Sequence, residues 1–567
     1  MVKVLAAALL LTALYNFLIF DSQPGIGFSL FIIFVNCTLF IFNKNSKNTL
    51  LSYTFGIASS IFALLFSFRS NGIVQLFDIL ASIGFLLLNI YFAKSNLKFD
   101  YTYLSVLTAP LKAGAKFAEG ILQAFIPQTW AEHTAQKHVT SSILRGVFIG
   151  VPVLAVLFFI LSKADPIFES ITYSFLENVW LRIIFSVIVF ISALSLGIMK
   201  IYEKDKATEE KQVSAGKEYE LLVILGGLGL LFAGFIFIQF KYLFSNIGER
   251  ELMSLGIKSL TFSEYVRKGF FELLLASVIS SGVVFYALRY IHKLKDKGKT
   301  LVQILTSILT IEVGLLLWSA AQRVFLYQQA HGLTRARVFG MFFLIWLAVL
   351  LGILLIRIIK DINAKNNLSL NIISTILILV AINIVNIDGL IATHENKPTV
   401  NNEIDYYYLS NLSPDAYESW IPAIIEAEKA YLSLKDKRLT PEEYRIFYWH
   451  SGAVESLNSQ VTYLKDKYGP FDQATARHEL LKKNMDTIYS KEVYAGKPLS
   501  EDVYELRKWQ AMNLGEYLAH EHIQKNPEVF DKLPALLEGV RHIQSNVPLE
   551  VIQNTTLDRA TNAPLSN

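Results

Sequence analysis

Residues 261–290 read TFSEYVRKGFFELLLASVISSGVVFYALRY, running from Thr261 to Tyr290. Glu264, Tyr265, Arg267 and Lys268 crowd its start. From Phe270 the stretch turns apolar and stays so for long enough to cross the roughly 30 Å of hydrocarbon in a bilayer as a helix. One charge, Glu272, falls inside the apolar part, where an unpaired carboxylate costs several kcal/mol, on the order of 3. A chain that carries such a stretch is a membrane helix with a polar entrance, and the rest of the sequence repeats the theme.

Of 567 residues, 53% are hydrophobic and 18% charged, with 40 Phe and a mean hydropathy of +0.40. The apolar residues gather in runs of about 18 or more, which excludes a soluble globular chain. They do not alternate with a period of two, which excludes a membrane barrel. Cys37 is the single cysteine, so an internal disulfide or a cysteine metal site is excluded as well. The fold class expected is all-α: a polytopic transmembrane bundle with a helical C-terminal domain.

Outward from residue 261, apolar runs lie near 4–20, 25–42, 49–68, 73–93, 142–162, 179–198, 221–240, 268–290, 301–321, 338–358 and 368–388. That makes eleven expected spans. The first could pass for a signal peptide, but LYNFLIF puts bulky residues where cleavage needs small ones, so it reads as retained. Four segments follow: spans 1–4 over 1–93, a cytoplasmic amphipathic connector over 94–140, a membrane core of spans 5–11 over 141–392, and a soluble helical domain over 393–567. Lys112 and Lys116 interleaved with Leu111, Phe117 and Ile121 suit a connector lying in the membrane surface.

With a cytoplasmic N-terminus, the inner connections carry about 21 Lys and Arg and the outer ones about nine, the asymmetry that sets this orientation. Eleven spans then put residues 393–567 outside. That segment holds 26 acidic against 19 basic residues, while the rest of the chain is basic. Its helices announce themselves: Ser413-Pro414-Asp415 is a start signal, and Thr440, Pro441 and Glu443 occupy N-cap, first-turn and capping-box positions.

Several stretches resemble a family of bacterial multi-spanning membrane proteins, DUF4173 within the wider DUF4153 group. They are SKADPIF (162–168), TFSEYVRKGFFELL (261–274), HGLTRARVFGMFFLIWLA (331–348), NIDGLIA (386–392) and RKWQAMNLGEYLA (507–519). The resemblance covers most of the chain from about 140 onward and leaves the first four spans unmatched. Ile387 stands where the family pattern has proline. The resemblance implies a multi-spanning membrane protein and no particular activity.

Four of these motifs fall at junctions that the span count places on one side. Glu264, Lys268 and Glu272 recur every four residues, one charged stripe on a helix. Arg323, Arg335 and Arg337 flank the ninth-to-tenth connection, Glu312 lies within the ninth span, and Asp165 and Asp388 add carboxylates at other junctions. Two readings follow. Either these ten residues form an arginine-rich pocket that holds a small anion by forked hydrogen bonds, or they pair with one another and stitch helix ends together.

Elsewhere, Gly226, Gly227, Gly229 and Gly234 in the seventh span allow close helix packing or a bend, and lack the lysine of a phosphate loop. HExxH and GxSxG patterns are absent. His520 and His522 point away from each other on a helix and make a poor metal pair. No cofactor, metal or nucleic-acid partner is expected; membrane lipids, an anionic small molecule and a protein bound through 393–567 are. Three functions remain: binding or transport of an envelope-side anion, a sensor or scaffold whose tail meets a partner, and a transferase on lipid-linked substrates with Asp165 or Glu264 as base.

Overall fold

A computed structural model describes residues 2–20, 22–42, 49–94, 103–124, 182–194, 196, 217–243, 262–291, 294, 296–360, 364–400, 403–437, 439–469, 508–545 and 547. Among them the chain is helical, apart from one two-stranded ribbon pairing Thr399 with Ile404 and Val400 with Glu403. Among the described residues, four helices are long and apolar enough to cross a membrane, at Gly72–Ala93, Lys297–Gln329, Arg335–Lys360 and Asn366–Val385. Six shorter apolar helices, at Lys3–Leu18, Ile26–Ile41, Leu50–Phe66, Arg182–Leu194, Leu221–Gly234 and Ala276–Leu288, coincide with six more of the expected runs. The run near 142–162 lies outside the described residues.

The chain forms two compact units, each discontinuous: residues 1–205 with 461–525, and residues 206–460 with 526–567. The segment 393–567 is therefore divided between them.

The first unit contains α1 (Val2–Leu18), α2 (Ile26–Phe42), α3 (Thr49–Phe66), α4 (Gly72–Lys94), α5 (Tyr103–Ala124) and α6 (Arg182–Leu194). Helices α2, α3 and α4 pack through aromatic stacks, Phe55 on Phe85 and Phe92, and through buried polar side chains. Asn89 accepts from Ser52 at 2.6 Å and donates to Asn36 at 2.8 Å, while Asn36 donates to Ser59 at 3.1 Å. Between spans each such bond is worth about 1 kcal/mol, and the set fixes how these helices face each other. Gly56 makes the approach close, since a Cβ there would meet the Phe40 ring at 2.5 Å. Helix α5, on the expected connector, buries Ala109 and Ala113, exposes Leu111, and packs on α4.

In the second unit run α7 (Lys217–Leu243), α8 (Phe262–Ile291), α9 (Asp296–His331), α10 (Arg335–Lys360), α11 (Ala364–Val385) and the short α12 (Ile387–Thr393). Helix α9 is central, packing on α7, α8 and α10. One apolar cluster joins Leu221 and Leu225 of α7 to Val302 and Leu309 of α9 and Leu354 of α10. A second, around Leu316, Ala320 and Leu344, takes in Phe232 and Ile236 of α7.

Beyond residue 393 lie α13 (Tyr406–Ser410), α14 (Trp420–Leu434), α15 (Pro441–Tyr468), α16 (Leu514–Lys525), α17 (Pro527–Phe530) and α18 (Leu533–Ser545). The division between the units falls inside α15. The capping box forms as the sequence indicates: Glu443 accepts from the Thr440 backbone N–H at 3.0 Å, and Thr440 Oγ1 accepts from the Glu443 N–H at 3.3 Å. Trp420, fully buried, meets Phe530 edge to face.

Candidate functional site

The loop between α9 and α10 is built around Gly332, whose φ of 75° is open to glycine at little cost. Its Cα faces the Lys397 carbonyl with no room for a side chain. Around it the chain beyond α12 comes back: Leu333 N–H donates to the Asn396 carbonyl at 3.0 Å, and Asn396 Nδ2 to the Gln328 carbonyl at 2.6 Å. Arg335 opens α10, and its backbone N–H, one of the unpaired donors of a helix start, finds the Tyr408 hydroxyl at 2.8 Å. Arg337 turns back on the loop, donating to the His331 carbonyl at 3.0 Å and to that of Gly332, with its guanidinium 4.0 Å over the Tyr327 ring.

Asp388 receives the other end. Asn386 adopts a left-handed φ of 51°, and its side chain caps α12 by accepting from the Gly389 N–H at 3.2 Å. This presents the fully buried Asp388 carboxylate to Arg335. The pair is a fork: Nε to Oδ1 at 2.7 Å and Nη2 to Oδ2 at 2.5 Å. Ser413 completes it, donating to Oδ2 through its hydroxyl at 2.6 Å and its backbone N–H at 3.1 Å. Four donors thus satisfy one carboxylate, the condition under which a buried ion pair is tolerated. Burial pushes the Tyr408 phenol above its ordinary range, although the bond from Arg335 opposes this. Burial likewise raises Asp405, which caps α13 by accepting from the Tyr408 N–H at 2.8 Å.

A second polar cluster sits in the first unit. Lys467 reaches Glu516 at 2.8 Å with both side chains largely buried, and the Tyr468 hydroxyl donates to the same carboxylate at 3.0 Å. Burial first, and the neighbouring Glu516 second, push both Tyr463 and Tyr468 upward, so they stay neutral donors. This cluster anchors residues 508–517 on the ends of α1 to α4. Gln510 donates to the Phe17 carbonyl at 2.9 Å, Asn513 to that of Arg69 at 2.8 Å, and the Leu514 N–H to that of Ser67 at 2.8 Å. Ile26 N–H in turn donates to the Met512 carbonyl at 3.1 Å.

Residues 56–423 match the family described as a domain of unknown function, DUF4153. The chain belongs to the DUF4153 family. No curated protein and no solved structure matches it. The family match begins inside α3 and so includes part of α3 and all of α4, which the motifs left unmatched. It ends inside α14, short of RKWQAMNLGEYLA, which is the stretch that anchors on α1 to α4. Both ends of the Arg335–Asp388 fork, with Tyr408 and Ser413, lie within the DUF4153 region.

Of the ten residues singled out in the sequence, Arg335 and Asp388 are brought together, and Arg337, two residues on from Arg335, has its guanidinium engaged by carbonyls. Arg323 is half-buried on α9. Glu312 stands 19 residues before the end of α9, about 28 Å along the axis, and does not join the cluster. Glu264, Arg267, Lys268 and Glu272 lie on α8, where their side chains are outside the described residues, as is the whole of Asp165. Sequence reasoning missed Ser413, Tyr408 and Asn396. Ser413 carried a signal that pointed elsewhere: it precedes the Pro414 helix start, yet its hydroxyl makes no cap and goes to Asp388. Ile387, at the first turn of α12, is buried, so the position demands an apolar side chain as much as a helix-starting backbone.

Proposed function

We propose that this DUF4153 protein is a bacterial plasma-membrane protein of eleven spans that acts without covalent chemistry, as a sensor or scaffold displaying its C-terminal segment on the outer side to a partner protein. One observation carries the reading: Asp388, at the end of the last apolar helix, is buried under Arg335 from the preceding turn and Ser413 from the C-terminal segment. A loop that needed to move freely would not bury a charge at this cost. Parity supports the side assigned. In each unit the tail residues meet ends of apolar helices that the span count puts outside, α1/α2 and α3/α4 in one and α9/α10 in the other.

The anion-binding reading draws on the same arginines. It requires Arg335 to leave a carboxylate that already fills its fork, so scaffold and anion site make opposite demands on one residue. The deciding experiment places photo-crosslinkers at the exposed Ile446 and Tyr448 of the full-length protein in native membranes. Discrete adducts with one partner, lost on Arg335→Leu, are expected. No adduct at either site, with a phosphate- or carboxylate-dependent rise in thermal stability instead, overturns the scaffold in favour of the anion site.

A further inference from the structure

Glu312 is the sixteenth residue of the 33-residue apolar stretch Lys297–Gln329, next to its midpoint. The side chain is more than nine-tenths buried, and among the described residues no donor reaches its Oε2. It lies between the two apolar clusters of the unit, one turn after Leu309 and one before Leu316. Across from it is Gly229 of α7: a Cβ built there would stand 3.7 Å from Oε2. Gly229, within LGGLGLLFAG, therefore has a use that the sequence alone did not reveal: it leaves the space into which the carboxyl projects.

On the four helices of this bundle, the other ionisable residues keep to positions well along the chain from the middle of α9. On α9 the nearest ionisable groups are Lys299 and Arg323, thirteen and eleven residues away, about 20 and 16 Å along the axis. Residues 221–240 of α7 carry none. On α8 the ionisable groups are Glu272 and those before it, and Tyr286 and those after it. On α10 they are Arg335 and Arg337 at one end and Arg357 and Lys360 at the other. An ionised carboxylate with no counter-charge at mid-membrane is strongly disfavoured, and the neutral acid is the form that this site accommodates.

We propose that Glu312 is a proton-binding site at the middle of the membrane, holding its proton where α7 and α9 pack. A metal cation is a poorer occupant, since it needs several oxygen ligands. The neighbouring hydroxyls of Thr306 and Thr310 are already bonded to the carbonyls of Val302 and Thr306 at 2.6 and 2.7 Å. A proton needs only the one carboxyl. This goes beyond the scaffold reading and does not depend on it, because the site is far from Asp388.

The test uses the full-length protein in liposomes with dicyclohexylcarbodiimide, which adds to protonated carboxyls in apolar surroundings, read by mass spectrometry of the Glu312 peptide across a pH series. A second readout is the infrared C=O band of a protonated carboxyl, taken as the difference between the natural protein and Glu312→Gln. The expected result is a titration whose midpoint lies above the ordinary glutamate value of about 4.3, in either readout. Sodium at fixed pH should leave it unmoved, and Glu312→Asp should preserve it. A midpoint near the ordinary value, suppression by sodium, or neither adduct nor band in protein that elutes as a folded species overturns the proposal. Loss of partner crosslinks with the titration intact would sink the scaffold reading and leave this one standing.

Discussion

Replacing Arg335 by leucine leaves the fully buried Asp388 carboxylate with two Ser413 donors and no counter-charge. Breaking a buried pair from one side costs about 3–5 kcal/mol. Because Ser413 belongs to the segment that the fork holds, that cost falls on docking of residues 405–416 before it falls on the whole protein. At 1.36 kcal/mol per decade, local opening should become about two to nearly four powers of ten more frequent. Hydrogen exchange reads this directly, since the Leu409, Asn411, Leu412 and Ala416 amides all donate to backbone carbonyls within the segment. Arg335→Lys, which keeps the charge and loses the fork, should fall between. Changing both partners, Arg335→Leu with Asp388→Leu, should recover much of the loss, because two buried charges leave together. Exchange that accelerates less than tenfold in Arg335→Leu, or a double variant as damaged as the sum of the singles, would refute the view that this pair fastens the segment.

In the first unit, Lys467→Met strands Glu516 and should destabilise by about 3–5 kcal/mol, with Lys467→Met/Glu516→Leu partly restored; denaturant midpoints in detergent measure the cycle. The pH dependence has a definite sign. Burial, aided by Lys465, holds the buried His520 below its ordinary value, so the folded state resists a proton that the unfolded chain accepts. Stability is complete above pH about 6.5 and declines as pH falls through the interval down to the lowered value, by at most about 1.4 kcal/mol per pH unit. His520→Gln should flatten that slope in a thermal-melt series, and an unchanged slope would exclude His520 as its source.

The helical character was legible in the long apolar runs, four of which form helices long and apolar enough to cross a membrane among the described residues. The Thr440–Glu443 capping box was legible too, since its partners are three residues apart. What the sequence could not say was which charges meet. Asp388 and Arg335 are 53 residues apart, and Ser413 is 25 beyond Asp388; nothing local distinguishes a paired arginine from a free one. Glu312 was grouped with the junction residues because it is charged and near them in the chain, whereas its depth along α9 sets it apart. Lys467 and Glu516, 49 residues apart, carry no local mark of a pair, and the return of residues 508–517 to the ends of α1 to α4 brings them together.

That return fixes an order of manufacture. Gln510 bonds to the Phe17 carbonyl across 493 residues, an interval that a ribosome adding about 5–20 residues per second takes on the order of 25–100 s to cover. During that time the first helices must wait with their connecting turns uncapped. A chain truncated anywhere before residue 508 therefore leaves the first helix ends without the bonds that Gln510, Asn513 and Leu514 supply.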